Sequence, residues 1–104
     1  MSFRSLPVRL SAQAQQDFID ILRFTAETWG PKQLVAYRIK IDAALRAIGR
    51  NPQFGAKRDD LPATHRLAFV GAHVIVYRLE GQGVDVGIGV VRILHQRMSL
   101  VRHL

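Results

Sequence analysis

The sequence predicts one α+β domain in the order β-α-α-β-β-β, a helical hairpin packed on a small antiparallel sheet, with a short C-terminal tail. Three observations lead there. From residue 11 to residue 50 apolar side chains recur at helical spacing in two runs divided by Gly30-Pro31. From residue 65 to residue 93 the spacing changes to alternation, in runs divided by glycine-containing turns. A chain of 104 residues with 48% hydrophobic content can bury one core and not two, so residues 1–104 are read as a single domain.

Leu6 to Leu10 alternates Leu6, Val8 and Leu10 with Pro7 and Arg9. Pro7 has no N–H to give to a ladder, which predicts an edge strand. Ser11 is then placed as an N-cap, and Ala14, Phe18, Ile21, Leu22, Thr25 and Trp29 form the apolar stripe of a first helix. Its other face carries Asp17, Asp20, Arg23 and Glu27, read as a solvated charged surface. Gly30 ends that helix and Pro31 starts the next, whose stripe is Leu34, Tyr37, Ile41, Ala44, Leu45 and Ile48. The outside of the second helix is basic (Lys32, Arg38, Lys40, Arg46, Arg50), and it should stop at Asn51, because a residue before proline avoids helical angles. Asn51 to Pro62 reads as a loop.

His65 to Val70 and His73 to Leu79 read as a hairpin closed by Gly71-Ala72. The second of these strands is apolar on both faces and is therefore expected at the centre of the sheet. Glu80 to Gly83 turns the chain into Val84 to Ile93. Alternation there puts Val84, Val86, Ile88 and Val90 on one face and Asp85, Gly87, Gly89, Val91 and Ile93 on the other. Two glycines on one strand face weaken the strand, and the physical reason to keep them is that another piece of chain lies on the backbone there. Gly87, Gly89, Val91 and Ile93 are thus expected to line a groove for a partner peptide. Only Gln96 to Leu104 remains to cover that face.

Fifteen Lys and Arg against eight Asp and Glu give a net charge of +7, a balance suited to an acidic protein partner or a phosphate backbone. There is no cysteine, so no disulfide framework and no thiolate metal site. No metal-binding or cofactor motif appears, and none is expected. The first residues lack the apolar run of a signal peptide and no stretch has the length of a membrane span, so the expectation is a cytoplasmic protein with no membrane association.

Several runs resemble the ParE toxins of bacterial type II toxin–antitoxin modules, within the RelE/ParE superfamily. They are Val90 to Met98 (V-V-R-I-L-H-Q-R-M), His73 to Arg78 (H-V-I-V-Y-R), and T-A-E-T-W-G at the end of the first helix. The most specific part is Arg92, Ile93, Leu94, His95, Arg97 and Met98; Ser99 departs from the pattern, where an acidic residue is expected. The resemblance implies a toxin neutralised by a ParD-like antitoxin whose acidic C-terminal segment fills the groove. It implies DNA gyrase as the target, bound and poisoned rather than chemically modified, with Arg92, His95, Arg97 and Met98 carrying or positioning the active surface.

The rival reading is a ribosome-dependent endoribonuclease of the RelE type. Attack of a 2′-hydroxyl on its own phosphate needs a base, an acid and cations. His95, Arg92, Arg97, Arg66, Tyr77 and Glu80 are the available groups, yet Arg92 and His95 are expected on opposite faces of their strand. The tyrosine associated with nucleolytic members is also missing after His95, where Gln96 stands. No catalytic residue is assigned. His65, His73, Tyr37, Tyr77 and Trp29 are read as structural. The basic charge comes with no nucleic-acid reader motif, so sequence-specific nucleic-acid binding is not expected.

Overall fold

The computed structural model describes residues 5–104. Its elements are β1 (Val8–Leu10), α1 (Ala12–Trp29), α2 (Pro31–Arg50), β2 (His65–Val70), β3 (His73–Glu80), β4 (Gly87–His95) and α3 (Leu100–His103). The predicted order holds, and the tail contains a short helix. The sheet runs β1-β4-β3-β2. β2, β3 and β4 form an antiparallel meander, but β1 lies parallel to β4, pairing Val8 with Ile88 and Leu10 with Val90. The sheet is therefore mixed rather than purely antiparallel. A parallel neighbour is reached only through a crossover connection, and here both helices and two strands intervene.

Ser11 is the hinge between sheet and helices. Its amide donates to the Val90 carbonyl (2.9 Å), its hydroxyl donates to the Val91 carbonyl (2.8 Å), and the same oxygen accepts from the Ala14 amide (3.0 Å). One N-cap thus starts α1 and fixes it over β4. At the other end of α1, Gly30 takes φ 91°, a left-handed angle suited to glycine, and Pro31 opens α2. α2 stops at Asn51 as expected.

Two apolar layers result. Between helices and sheet lie Ala14, Ile21, Ile41, Ile48, Ile75, Tyr77, Ile88, Val90 and Ile93. On the outer face lie Leu67, Val74, Val76 and Leu94, covered by Leu61 from the 51–64 loop and Leu100 from α3. The sequence leaves too little chain to cover this face and predicts an open groove there; instead the tail and the loop together bury its centre.

β4 departs from the sequence reading in two ways. It starts at Gly87, because Gly83–Asp85 forms a 3-10 turn that leaves Val84 fully exposed. The pairing also slips between Val76 and Tyr77, which face Arg92 and Val90, so Val91 is an extra residue in β4, a β-bulge. A bulge reverses the alternation beyond it. Ile93, expected beside Gly87 and Gly89, instead faces the helices and is 2% exposed. It cannot line a groove on the outer face.

Candidate functional site

The sequence-predicted residues fall in two regions of β4. Near its start, register places Arg9, Gly89, Arg78 and His65 in one row across the outer face, with Gly87 and Glu80 paired in the next row. The vacancy expected over the glycines is occupied from within. A side chain on Gly89 would collide with the carboxylate of Glu80, and one on Gly87 would press on the Pro7 carbonyl. Arg78 holds Glu80 in place, Nε and Nη2 donating to Oε2 at 3.3 and 3.1 Å. Gly89 is consequently buried, while Val91 is partly buried against the outer layer.

At the far end of β4 the chain brings together Arg92, His95, Arg97 and Met98, though not as one surface. Arg92 turns past the strand edge to α1, where Nε and Nη2 donate to the two carboxylate oxygens of Asp17 at 2.8 and 2.9 Å. Nη1 donates to the His103 carbonyl of α3 (3.2 Å), and the Ile93 amide donates to Asp17 Oδ2 (2.9 Å). Only 18% and 14% of the two side chains are exposed, so the pair is a clamp joining α1, β4 and α3. Hydrogen bonding by Asp17 raises the Arg92 pKa further above its ordinary value against an opposing effect of burial.

His95 faces the helix side, opposite to Arg92, as expected. Its ring stands edge-on to His73, 5.3 Å between centroids, and its Nδ1 accepts from the Arg97 amide (3.0 Å). His73 Nδ1 is hydrogen-bonded to the Tyr37 hydroxyl of α2 (2.6 Å), which also accepts from the Ala72 amide. Burial, and secondarily the neighbouring His95, holds the His73 pKa below the usual imidazole value; burial raises that of Tyr37. Tyr37 thus ties the β2–β3 hairpin to α2 through Val70, Ala72 and His73. Met98 is 40% exposed and Arg97 is exposed. With Asp20, Phe24, His73 and Leu94, His95 and Met98 line an open cleft of about 450 Å³ between α1 and the end of β4. β1 ends opposite Val90, so among the described residues no strand covers the β4 edge along this cleft.

Of the groups weighed for ribonuclease chemistry, Tyr77 and Arg66 lie apart from His95 and Arg97. Tyr77 is 1% exposed, and its hydroxyl donates to the Pro52 carbonyl and accepts from the Gly55 amide, at 2.8 and 2.7 Å. Arg66 donates to the Gly55 carbonyl (2.8 Å). His95 pairs with His73, four residues from Tyr77 along β3, roughly 13 Å away. Among the described residues no group of three His, Cys, Asp or Glu could hold a metal ion, and no helix is long and apolar enough to cross a membrane.

Sequence reasoning missed Asp17, read as part of a solvated face. The available signal was its position three residues after Ala14 and beside Phe18, on the border of the buried stripe.

With this geometry in hand, the chain can be set beside known proteins. Residues 8–100 match the family described as "ParE toxin of type II toxin-antitoxin system, parDE". The chain is 34% identical to Toxin ParE1 of Caulobacter vibrioides, over 94% of this chain and 97% of that one. It is 35% identical to Toxin ParE1 of Mycobacterium tuberculosis, over 91% and 94%. Among solved structures it is similar in fold to a chain of a chromosomal ParDE toxin–antitoxin system from P. aeruginosa, with TM-score 0.71, 16% identity, and 88% and 96% of the two chains covered. It is also similar to a chain of the toxin–antitoxin complex RelBE2 from M. tuberculosis, with TM-score 0.59, 18% identity and coverage of 89% and 100%.

Proposed function

The chain belongs to the ParE toxin family of type II toxin–antitoxin systems, and from that premise we propose that it inhibits DNA gyrase by binding and is held silent by a ParD-like antitoxin. The observation that carries the choice of binding over chemistry is the separation of Tyr77 and Arg66 from His95. Tyr77 and Arg66 are engaged with the 51–64 loop, while His95 lies at the opposite end of the sheet. A 2′-hydroxyl attack needs those groups within hydrogen-bond reach of one phosphate.

Of the four target-binding candidates, His95, Arg97 and Met98 form the active surface, and Arg92 supports it through Asp17 and His103. The antitoxin is read as an acidic segment, since an acidic chain complements a body of net charge +7. Its path is the β4 edge from Val91 to His95, beyond the end of β1, where an added segment would lie beside the Asp17 clamp and meet the apolar side chains of Phe24 and Met98. Gly87, Gly89 and Val91 belong to the same path on the outer face. Ile93 faces the helices and its amide is held by Asp17, so it lies outside this path.

The test is induction in cells together with a supercoiling assay on purified gyrase. Filamentation with intact transcripts, and loss of supercoiling inhibition in Arg97→Ala and Met98→Ala, are expected. Immediate arrest of translation with cleaved messages would replace gyrase with the ribosome as target. Arg92→Ala is a poor probe here, because it also breaks the clamp.

A further inference from the structure

The Arg9, Gly89 and Arg78 row has the features of a receptor for a carboxylate. Its floor is bare backbone at Gly89, where any Cβ would exclude the group now lying there. One wall is Arg78, directing Nε and Nη2 to a carboxylate oxygen at 3.3 and 3.1 Å. On the other side stands Arg9, whose register partner is Gly89 and whose neighbours Val8 and Leu10 pack toward the helices, so Arg9 projects to the outer face. Beside them a hollow of about 170 Å³ is lined by Pro7, Arg9, Glu80, Gly81, Asp85 and Gly87. The carboxylate now seated on the floor is the chain's own, from Glu80. Both members of the Arg78–Glu80 pair remain nearly half exposed, 45% and 47%, so the occupant is reachable from solvent and held weakly.

We propose that the cradle formed by Arg9, Gly89 and Arg78 binds a carboxylate side chain of the partner's acidic segment, and that Glu80 is an internal stand-in that the segment displaces. This rests on the acidic-partner reading given above and names one contact within it. The displaced Glu80 returns to water, and the incoming carboxylate gains the same guanidinium with Arg9 alongside. Asp85 at the rim is the acidic group that opposes the exchange. The stand-in gives the free toxin a covered, neutralised floor instead of an unpaired cation on an open sheet.

The probe is a capped hexaglutamate peptide titrated into the full chain, followed by NMR at the Gly89 amide and the Arg78 Nε–H. Glu80→Gln removes the internal competitor and is expected to tighten binding about 2- to 5-fold, the range of an exposed ion pair. Arg78→Gln is expected to abolish the shifts at Gly89. Glu27→Gln makes the same change in net charge on α1, away from the sheet, and should leave the affinity unchanged. Equal affinity in Glu80→Gln and native protein, equal tightening by Glu27→Gln, or shifts confined to the basic face of α2 would each overturn the proposal. The titration involves no antitoxin, so its result is independent of whether the antitoxin reading holds. A chain that binds its antitoxin equally well with Gln or Glu at residue 80 would keep that reading and refute this one.

Discussion

Arg92 directs its donors inward, two to Asp17 and one to the His103 carbonyl. Removing either partner strands a charge that is four-fifths buried or more. Asp17→Ala or Arg92→Ala is therefore expected to cost about 2–3 kcal/mol, somewhat less than for a fully buried pair. Arg97→Ala should stay within about 0.5 kcal/mol, as for an exposed residue. Urea unfolding of the three variants checks this, and equal stabilities would remove the clamp from the account. A basic residue at a strand end was legible in the sequence as important. Its role was not, because the partner lies 75 residues away and nothing local marks the pairing. The histidines give a second test at this scale. His73 is held below its ordinary pKa by burial and His95, and His65 by burial and Arg78. An imidazole depressed in the folded state binds more protons unfolded, so its stabilisation is complete above the unfolded value of about 6.5 and is lost as pH falls from there toward the folded value. Stability should thus decline as pH falls below about 6.5, and His73→Asn should flatten that slope. A slope unchanged in both His73→Asn and His65→Asn would trace the acid sensitivity to other groups.

Elements were the most legible level, and apart from the 3-10 turn that delays the start of β4 their failures have one cause. The helices announced themselves by period and by Ser11, Gly30, Pro31 and Asn51, all of which act locally. β4 did not, because a bulge is a property of two paired strands rather than of one. The run from Gly87 to Ile93 alternates smoothly on paper, and only its pairing with Val76 and Tyr77 shows the extra residue. The same limit hid the anchoring of the 51–64 loop, which reads as mere connection. Tyr77 holds it by two hydrogen bonds, and Gly55 sits so close to that ring that a Cβ would lie 2.7 Å from it and 2.8 Å from the Leu67 carbonyl. Tyr77→Phe should leave the buried Gly55 amide without a partner and cost about 1–3 kcal/mol. Gly55→Ala should cost at least as much, since neither a packed ring nor a backbone carbonyl can move aside cheaply. If both variants unfolded at the native denaturant midpoint, the loop would be a passive link.

For the whole molecule, the helix-side core is complete without the tail, whereas the outer layer is not. Leu67, Val74, Val76 and Leu94 are dry because Leu61 and Leu100 cover them from two separate segments. The segment ending at Leu100 also carries Arg97 and Met98 and is tied down again by Arg92 at His103. Stability of the outer layer and presentation of the proposed target-binding surface are thus coupled through one short piece of chain. Leu100→Ala and Leu61→Ala remove comparable cover and should each cost about 2–3 kcal/mol, toward the lower end for buried leucines because both lie near the surface. Only Leu100→Ala should also weaken inhibition of gyrase, since only that leucine positions the tail. Supercoiling assays on the two variants, run where both are fully folded, separate the effects. Equal activity in the two would mean that Arg97 and Met98 act without the support of α3, and that the tail serves the fold alone.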